Sequence, residues 1–295
     1  MKKLVLLIAI TLTAYPLMAQ EEEPEEIKEG WNGSGTFSLM FSQAAFNSDW
    51  QAGGTSNYAG DLSIDYNIDY IQDRLSWNNN LMGEYGATKQ KGERFTRKTN
   101  DKLQLNSILG YKVEEDSDWS YSLFLDFKTQ FAKGYNYSSD NQVRTEYTRF
   151  MTPGYLKFGP GMLYKKEDIL LLNIAPATSR FIFVDDRFTT AGDYEDGNYF
   201  GMDKGKSNRF ELGASVDARS KINLMDNVVL NQKLSLFSDY LDRPQNIDID
   251  YTLKVDMKVN KYLSANFVFQ AIYEDKAISG FQIREGLGIG LSYLL

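Results

Sequence analysis

Histidine and cysteine are both absent from the 295 residues, so the side chains left to do chemistry are carboxylates, amines, guanidinium groups and phenols. Hydrolases, acyltransferases and proteases mostly use histidine as general base or relay, because imidazole titrates near neutrality without a large perturbation. Carboxylate sets do occur: Asp61, Asp65 and Asp69 are spaced by four, and Asp248 and Asp250 by two. On a strand an even spacing puts such residues on one face. A row of acids on one face is more simply a solvated or salt-bridged wall than an acid–base pair. No enzymatic activity and no cofactor are therefore expected.

Metal chemistry has little to work with. Asp185-Asp186 and Asp193-Tyr-Glu-Asp-Gly-Asn198 offer the oxygen ligands a hard cation needs, but the spacing departs from an EF-hand loop. Counted from Asp193 the twelfth residue is Lys204, and counted from Asp185 the sixth is Thr190 rather than glycine. Gly286-x-Gly-x-Gly290 imitates a phosphate-binding loop, yet no helix can open after it in this chain. Phe46-Asn-Ser-Asp-Trp-Gln-Ala-Gly-Gly54 leaves two readings open. Asn47, Asp49 and Trp50 can touch a ligand while Gly53 and Gly54 take the positive φ of a tight turn; alternatively the loop folds inward as a plug with Trp50 filling space.

The elements that hold these residues follow from a period of two. From Tyr58 to Tyr70 the even positions are Tyr, Gly, Leu, Ile, Tyr, Ile and Tyr, and the odd ones are small or acidic. From Ile247 to Val259 the odd positions are apolar against Asp248, Asp250, Thr252, Lys254, Asp256 and Lys258. A helix cannot keep those aspartates off its apolar face. The closing Gly286-Leu-Gly-Ile-Gly-Leu-Ser-Tyr-Leu-Leu295 puts large apolar groups on one face and Gly or Ser on the other. Further strands are expected near 35–43, 75–87, 101–112, 119–133, 154–165, 169–183, 208–219, 228–240 and 262–274.

The sequence thus predicts an all-β fold, an antiparallel up-and-down transmembrane β-barrel of about 12 strands, with 10 or 14 as alternatives. The segment 169–183 is the weakest member, since Ile169-Leu-Leu-Leu172 is apolar on both faces and Pro176 lacks a ladder donor; a bulge or a rim would accommodate it. Longer linkers near 44–57, 88–100, 134–153 and 184–207 alternate with short turns near 71–74, 113–118, 165–168, 220–227 and 260–261. The loops near 241–246 and 275–281 are modest. Tyr58 and Tyr70, and Trp119 and Phe131, bracket strands as an aromatic girdle would.

The expected lumen carries both signs. Asp61, Asp65, Asp69, Asp126, Glu211, Asp217, Asp248, Asp250 and Asp256 face Lys102, Lys128, Lys157, Arg209, Arg219, Lys233, Lys254, Lys258 and Arg284. A selective channel tends to present one sign at a constriction, whereas interleaved charges can pair and close a narrow barrel. Tyr155, Val229 and Phe237 on inward faces would add filling.

Composition agrees with export and membrane insertion. Lys2 and Lys3, the apolar run from Leu4 to Ala14 and small Ala19 read as a signal peptide over 1–19, too short for a spanning helix. Residues 20–30 are an acidic lead-in, most simply solvated and periplasmic, and 31–295 form the barrel. Removing the two lysines takes the formal charge from −8 to about −10, which disfavours nucleic acid as a partner. A mean hydropathy of −0.42 is compatible with a barrel whose alternate residues face a polar interior. Without cysteine, no disulfide staples the exported chain.

Phe46-Asn-Ser-Asp-Trp-Gln-Ala-Gly-Gly54, Thr152-Pro-Gly-Tyr-Leu156, the stretch from Asn208 to Asp275 and the closing Leu-Gly-Ile-Gly-Leu-Ser-Tyr resemble an uncharacterised bacterial family, a domain of unknown function. The resemblance spans nearly all of the mature chain. It implies an exported barrel of Gram-negative outer membranes and brings no activity with it. Chains of this kind usually close on an aromatic; this one closes on Leu295, with Tyr293 two residues before.

Two functions stand as expectations. One is a small diffusion channel or ligand-specific pore in the outer membrane. The other is a non-conducting structural or accessory subunit of an envelope complex. Both place the chain in the lipid bilayer with periplasmic termini, served by the barrel-insertion machinery, and both allow an envelope protein partner. A soluble sandwich or lipocalin-like barrel, with the apolar face inside, is the remaining alternative fold.

Overall fold

Alternation of this kind satisfies the backbone in lipid only if the sheet closes, because hydrocarbon offers no partner to an open edge. The computed structural model describes residues 29–47, 49, 54–139, 142–167, 169–260 and 262–294. The proposed signal peptide and all but the last two residues of the acidic lead-in lie outside that range. The described strands are β1 (Gly30–Ala44), β2 (Asn57–Gln72), β3 (Leu75–Gln90), β4 (Arg97–Lys112), β5 (Trp119–Thr129), β6 (Gly134–Tyr137) and β7 (Arg144–Thr148). They continue with β8 (Gly154–Lys166), β9 (Leu170–Phe183), β10 (Asn208–Met225), β11 (Val228–Asp239), β12 (Ile247–Lys258), β13 (Leu263–Glu274) and β14 (Ile278–Leu294). Twelve of them form one closed antiparallel barrel, each paired with its neighbour in sequence, and β14 returns to β1. The strands β6 and β7 are a separate hairpin in the loop between β5 and β8.

Large apolar groups point out. Phe41, Leu123, Ile289 and Leu291 are more than half exposed, while the opposite faces of their strands line an internal cavity. This is the reverse of a soluble barrel and the arrangement that lipid requires. Polar groups at outward positions are hydrogen-bonded to each other: Trp77 Nε1 donates to Ser107 Oγ at 2.8 Å, and Ser107 Oγ donates to Asn79 Oδ1 at 2.8 Å. Tyr251 Oη likewise donates to Gln232 Oε1 at 2.8 Å. Unpartnered, each such group would cost a few kcal/mol, roughly 1–3, in an apolar medium.

Aromatic rings gather at the end where the turns are short. Trp31 sits 5.1 Å from Tyr70 and 5.8 Å from Trp77, and Trp119 sits 5.1 Å from Tyr164. Tyr58 and Phe131 lie at the other end, both exposed.

Two sequence expectations shift, and a third, the bulge or rim at Pro176, resolves to a bulge. The strand expected over 119–133 stops at Thr129, because the Asp101 carboxylate accepts from the backbone N–H groups of Phe131 and Ala132 and turns the chain out of the ladder. The loops expected over 88–100 and 275–281 shrink to 91–96 and 275–277, and the turn over 220–227 shrinks to 226–227. Strands continue beyond the apolar belt into water, where both faces are polar and a period of two in hydrophobicity is no longer visible. Finally, β9 carries an extra residue around Pro176. Gly213 to Ser215 of β10 spans two residues while Thr178 to Ala175 of β9 spans three, and the bulge accommodates the missing donor.

Candidate functional site: the lumen and its roof

The inward faces enclose a cavity of about 3190 Å³. It reaches the turn end at Asp73, Arg74, Asp118, Glu167 and Asp226, and extends toward the loop end to Tyr155, Arg180, Asp248 and Glu274 on one side and to Thr99 and Asn100 on the other. Asp61, Asp65, Asp69, Asp126, Lys128, Asp248, Asp250, Lys254 and Lys258 all line it. Arg209 sits above it instead, donating from Nη1 to the Phe200 carbonyl at 2.7 Å and from Nε to Glu211 at 3.1 Å.

Charges of opposite sign meet across and along the wall. Lys128 reaches Asp250 at 3.0 Å from across the lumen, and Gln270 donates to the second oxygen of Asp250 at 3.0 Å. Lys157 lies 3.2 Å from Asp217, Lys254 3.0 Å from Asp256, and Lys233 3.6 Å from Asp65, which also accepts from Asn80 at 2.5 Å. Asp126 accepts from Gln104 at 2.8 Å. Asp65 and Asp250 of the two spaced sets are therefore held by cations and amides, as wall residues would be.

At the loop end these pairs tighten into a roof. Arg180 donates from Nε to Glu211 at 2.5 Å and from Nη2 to Asp248 at 2.6 Å, with its guanidinium 3.9 Å over the Phe237 ring. Glu211 is only 1% exposed and also meets Arg209 and Lys276, each at 3.0 Å. One buried carboxylate with three cationic partners is stable only as an intact set, since removing a partner leaves uncompensated charge. Tyr155 Oη donates to Glu274 at 3.0 Å beside them.

Above the belt, the loop between β9 and β10 brings Val184, Tyr199 and Met202 onto Ile182, with Tyr147, Phe188 and Phe200 packed around them. Tyr199 Oη donates to the Tyr147 carbonyl, joining this loop to the β6–β7 hairpin region. Arg149 binds Glu146 and, at 3.2 Å, Asp185. Lys276 ties β10, β11 and the next loop together through Glu211, Asp239 at 2.8 Å and Asp242 at 3.1 Å.

These contacts set the loop charges. The hydrogen bond from Lys276 holds Asp242 below the usual carboxylate range. Burial pushes the Lys276 ammonium down, but Asp239 and Glu211 outweigh it and raise it. Burial likewise opposes ionisation of Asp185, and bonds from the Arg187 backbone and side chain outweigh that and lower it.

The loop at 46–54 is distinct from the roof. Asn47 and Asp49 are exposed. Gly54 has φ of +122° and lies so close to the Phe46 ring that a Cβ would meet its Cζ at 2.6 Å, so the expected positive-φ glycine is in place. Trp50 and Gly53 lie outside the described residues. The acidic loop segments are used for structure: Asp185 accepts from the Arg187 N–H at 3.2 Å, and Asp196 accepts from the Lys204 N–H at 2.6 Å.

Sequence reasoning missed Arg180, Glu84 and Lys276. Before the bulge the inward residues of β9 are odd-numbered, Leu171, Asn173 and Ala175; after it they are even, Thr178, Arg180 and Ile182. A strict period of two across Pro176 puts Arg180 on the wrong face. Glu84 was recoverable, because Leu81 and Tyr85 outside imply an inward even position on β3. Lys276 belongs to a turn, where no period applies.

The wall, the belt and the lumen make this chain a transmembrane β-barrel of the outer-membrane type. Residues 41–135 match the family described as protein of unknown function (DUF3078), a stretch that contains the Phe46–Gly54 segment. No curated protein matches in sequence. Among solved structures, the chain is similar to an outer membrane channel from Pseudomonas putida F1, at 10% identity and a TM-score of 0.38, covering 94% of this chain and 99% of that one. It is also similar to the translocator domain of the autotransporter NalP from Neisseria meningitidis, at 11% identity and 0.36, covering 91% and 90%. Outer membrane phospholipase A from Escherichia coli gives 11% identity and 0.36, covering 92% and 94%. At such identities the likeness is one of fold, and the roles of those proteins do not pass to this chain.

Proposed function

We propose that the protein is a gated diffusion channel or ligand-specific pore of the outer membrane. The observation that supports this most directly is the cavity of about 3190 Å³, polar, reaching the turn end and bounded toward the loops by the Arg180–Glu211–Asp248 belt. A lumen built only for stability would be filled by side chains. In this reading residues 1–19 direct export and are removed, 20–30 precede the barrel as an acidic lead-in, and both termini face the periplasm. The insertion machinery then closes β14 on β1.

Mixed charge along the wall favours polar or zwitterionic solutes over either ion sign. Planar-bilayer recording of the purified barrel tests this. Brief, low-conductance openings are expected from the native chain and larger, longer ones from Arg180→Ala, which unlocks the belt. Silence from both would sink the pore. The roof itself favours a second reading, a barrel closed at rest that serves as an accessory subunit. Copurification of a stoichiometric envelope protein in mild detergent would support it, and a solitary barrel would count against it.

A further inference from the structure

The closing seam joins only part of the wall. The ladder between β1 and β14 has six residue pairs, from Thr36↔Leu294 to Phe41↔Ile289. On its other edge β14 stays paired with β13 as far as Ile278, and β1 stays paired with β2 to Ala44. Among the described residues, Ile278–Gly288 of β14 is therefore not paired with β1. The glycines record the same parting. A Cβ on Gly290 would strike the Met40 Cα at 2.7 Å and one on Gly288 would meet the Met40 Cβ at 3.3 Å, whereas Gly286 has nothing within 4 Å.

We infer that this gap between β1 and β14 is a lateral portal through which an amphipathic, lipid-like molecule passes between the bilayer and the lumen. The inference rests on the pore reading and names its ligand class.

Three observations select that occupant. First, the lips of the gap are apolar and face outward: Phe41 on β1, and Ile283, Leu287 and Ile289 on β14, all more than half exposed. An acyl chain suits such a surface, and a bare sheet edge in hydrocarbon needs either a partner or access to water. Second, polar groups wait behind the gap for a headgroup. Arg284 is the inward neighbour of Gly286 and lies 3.6 Å from Glu84, which binds Lys102 at 2.9 Å; Asp61 lines the same part of the cavity. Third, the roof bounds the axial route at the loop end while this route through the wall lies below it.

The same edge is poorly made for a partner strand. Glu285 stands at an outward position opposite Phe269, between Ile283 and Leu287, and glycine fills 286, 288 and 290. A charge and side-chain-free positions on a strand edge discourage pairing with another chain. A carboxylate that faces lipid is costly unless water reaches it. Glu285 and Gly286 both border the lumen cavity, so the portal supplies that water.

The test uses the full chain in phosphatidylcholine vesicles doped with a phospholipid carrying a photoreactive group on its headgroup. Labelled peptides are mapped after irradiation. Label on the inward residues Asp61, Glu84 and Arg284 is expected. Label confined to outward residues overturns the portal. Because cysteine is absent, Gln43→Cys with Leu287→Cys gives a lock across the gap. Oxidation should lower lumen labelling about tenfold, a change of about 1.4 kcal/mol in partition, and reduction should restore it. Unchanged lumen labelling in the oxidised form overturns it, and so does a disulfide that joins two chains through the Leu287→Cys position with no intrachain bond. Folding of each variant is checked by its unboiled gel migration, and a variant that fails is replaced by Ala44→Cys with Gly286→Cys. Bilayer conductance is recorded on the same samples: conductance without lumen labelling defeats the portal alone, and silence defeats the pore reading.

Discussion

Arg180 carries the largest single consequence. Its guanidinium binds Glu211 and Asp248 and covers Phe237; Glu211 also holds Arg209 and Lys276, whereas Arg180 is the cation bound to Asp248. Arg180→Ala is expected to destabilise the folded barrel by about 3–5 kcal/mol in urea titration, since a buried carboxylate loses its partner. Arg180→Lys should recover less than half of that, because a single ammonium cannot bridge two acids in the guanidinium's fork. Equal stability of native and Arg180→Ala chains would mean that the belt is ornamental. Other lumen charges behave differently. Lys233 and Asp65, 3.6 Å apart and each about a third exposed, form a weak pair, and Lys233→Met should change stability by less than about 1 kcal/mol.

Among the elements, β9 and the loop-end roof are where small changes act at a distance. The extra residue near Pro176 sets which face Arg180 occupies. Deleting Ala177 removes the extra residue, so that counting by two from Ala175 still brings Thr178, Arg180 and Ile182 inward. That variant and Pro176→Ala should both keep the folded, heat-modifiable band in an unboiled gel, and loss of the band from the deletion would mean that the bulge itself is needed for closure. The roof should respond to pH. Asp242 and Asp185 are held below the usual value of 3.8, so their contribution is complete above about pH 5 and is lost as pH falls through the lowered values. Lys276 is raised above 10.5, so its contribution persists until pH rises beyond that. Bilayer recordings should show steady, low conductance from about pH 5 to 10 and increased opening near pH 3. A flat profile down to pH 3 would separate the roof from the gate.

For the whole molecule, the sense of the wall is the property to challenge. Leu125 lies outward in the middle of β5, and Gln104 lies inward on β4 beside Asp126. Leu125→Arg is expected to cost about 2–4 kcal/mol in refolding into vesicles, the range for a cation at the lipid midplane. Gln104→Arg should cost under about 1 kcal/mol, since the new cation meets Asp126 in a wet lumen. Reversed magnitudes would turn the barrel inside out.

How much of this could be read beforehand differs by feature. Runs such as Tyr58–Tyr70 and Ile247–Val259 were decisive without any structure, because a residue's face in a strand depends only on counting by two. That is why the twelve strands, the sense of the wall and the lumen acids Asp61, Asp65, Asp248 and Asp250 were legible. Bulges, turns and closure do not follow from counting. Arg180 was hidden by one extra residue, Lys276 by its turn, and the Asp250 partner by a sequence separation of 122 residues to Lys128. The sequence by itself determined a closed, lipid-facing antiparallel wall with a charged interior, through local periodicity and the need to satisfy the backbone. Only the tertiary structure decided which charges meet, that a roof bounds the lumen, and that β1 and β14 part above Ile289. Those depend on shear and register around the ring, which no single strand encodes.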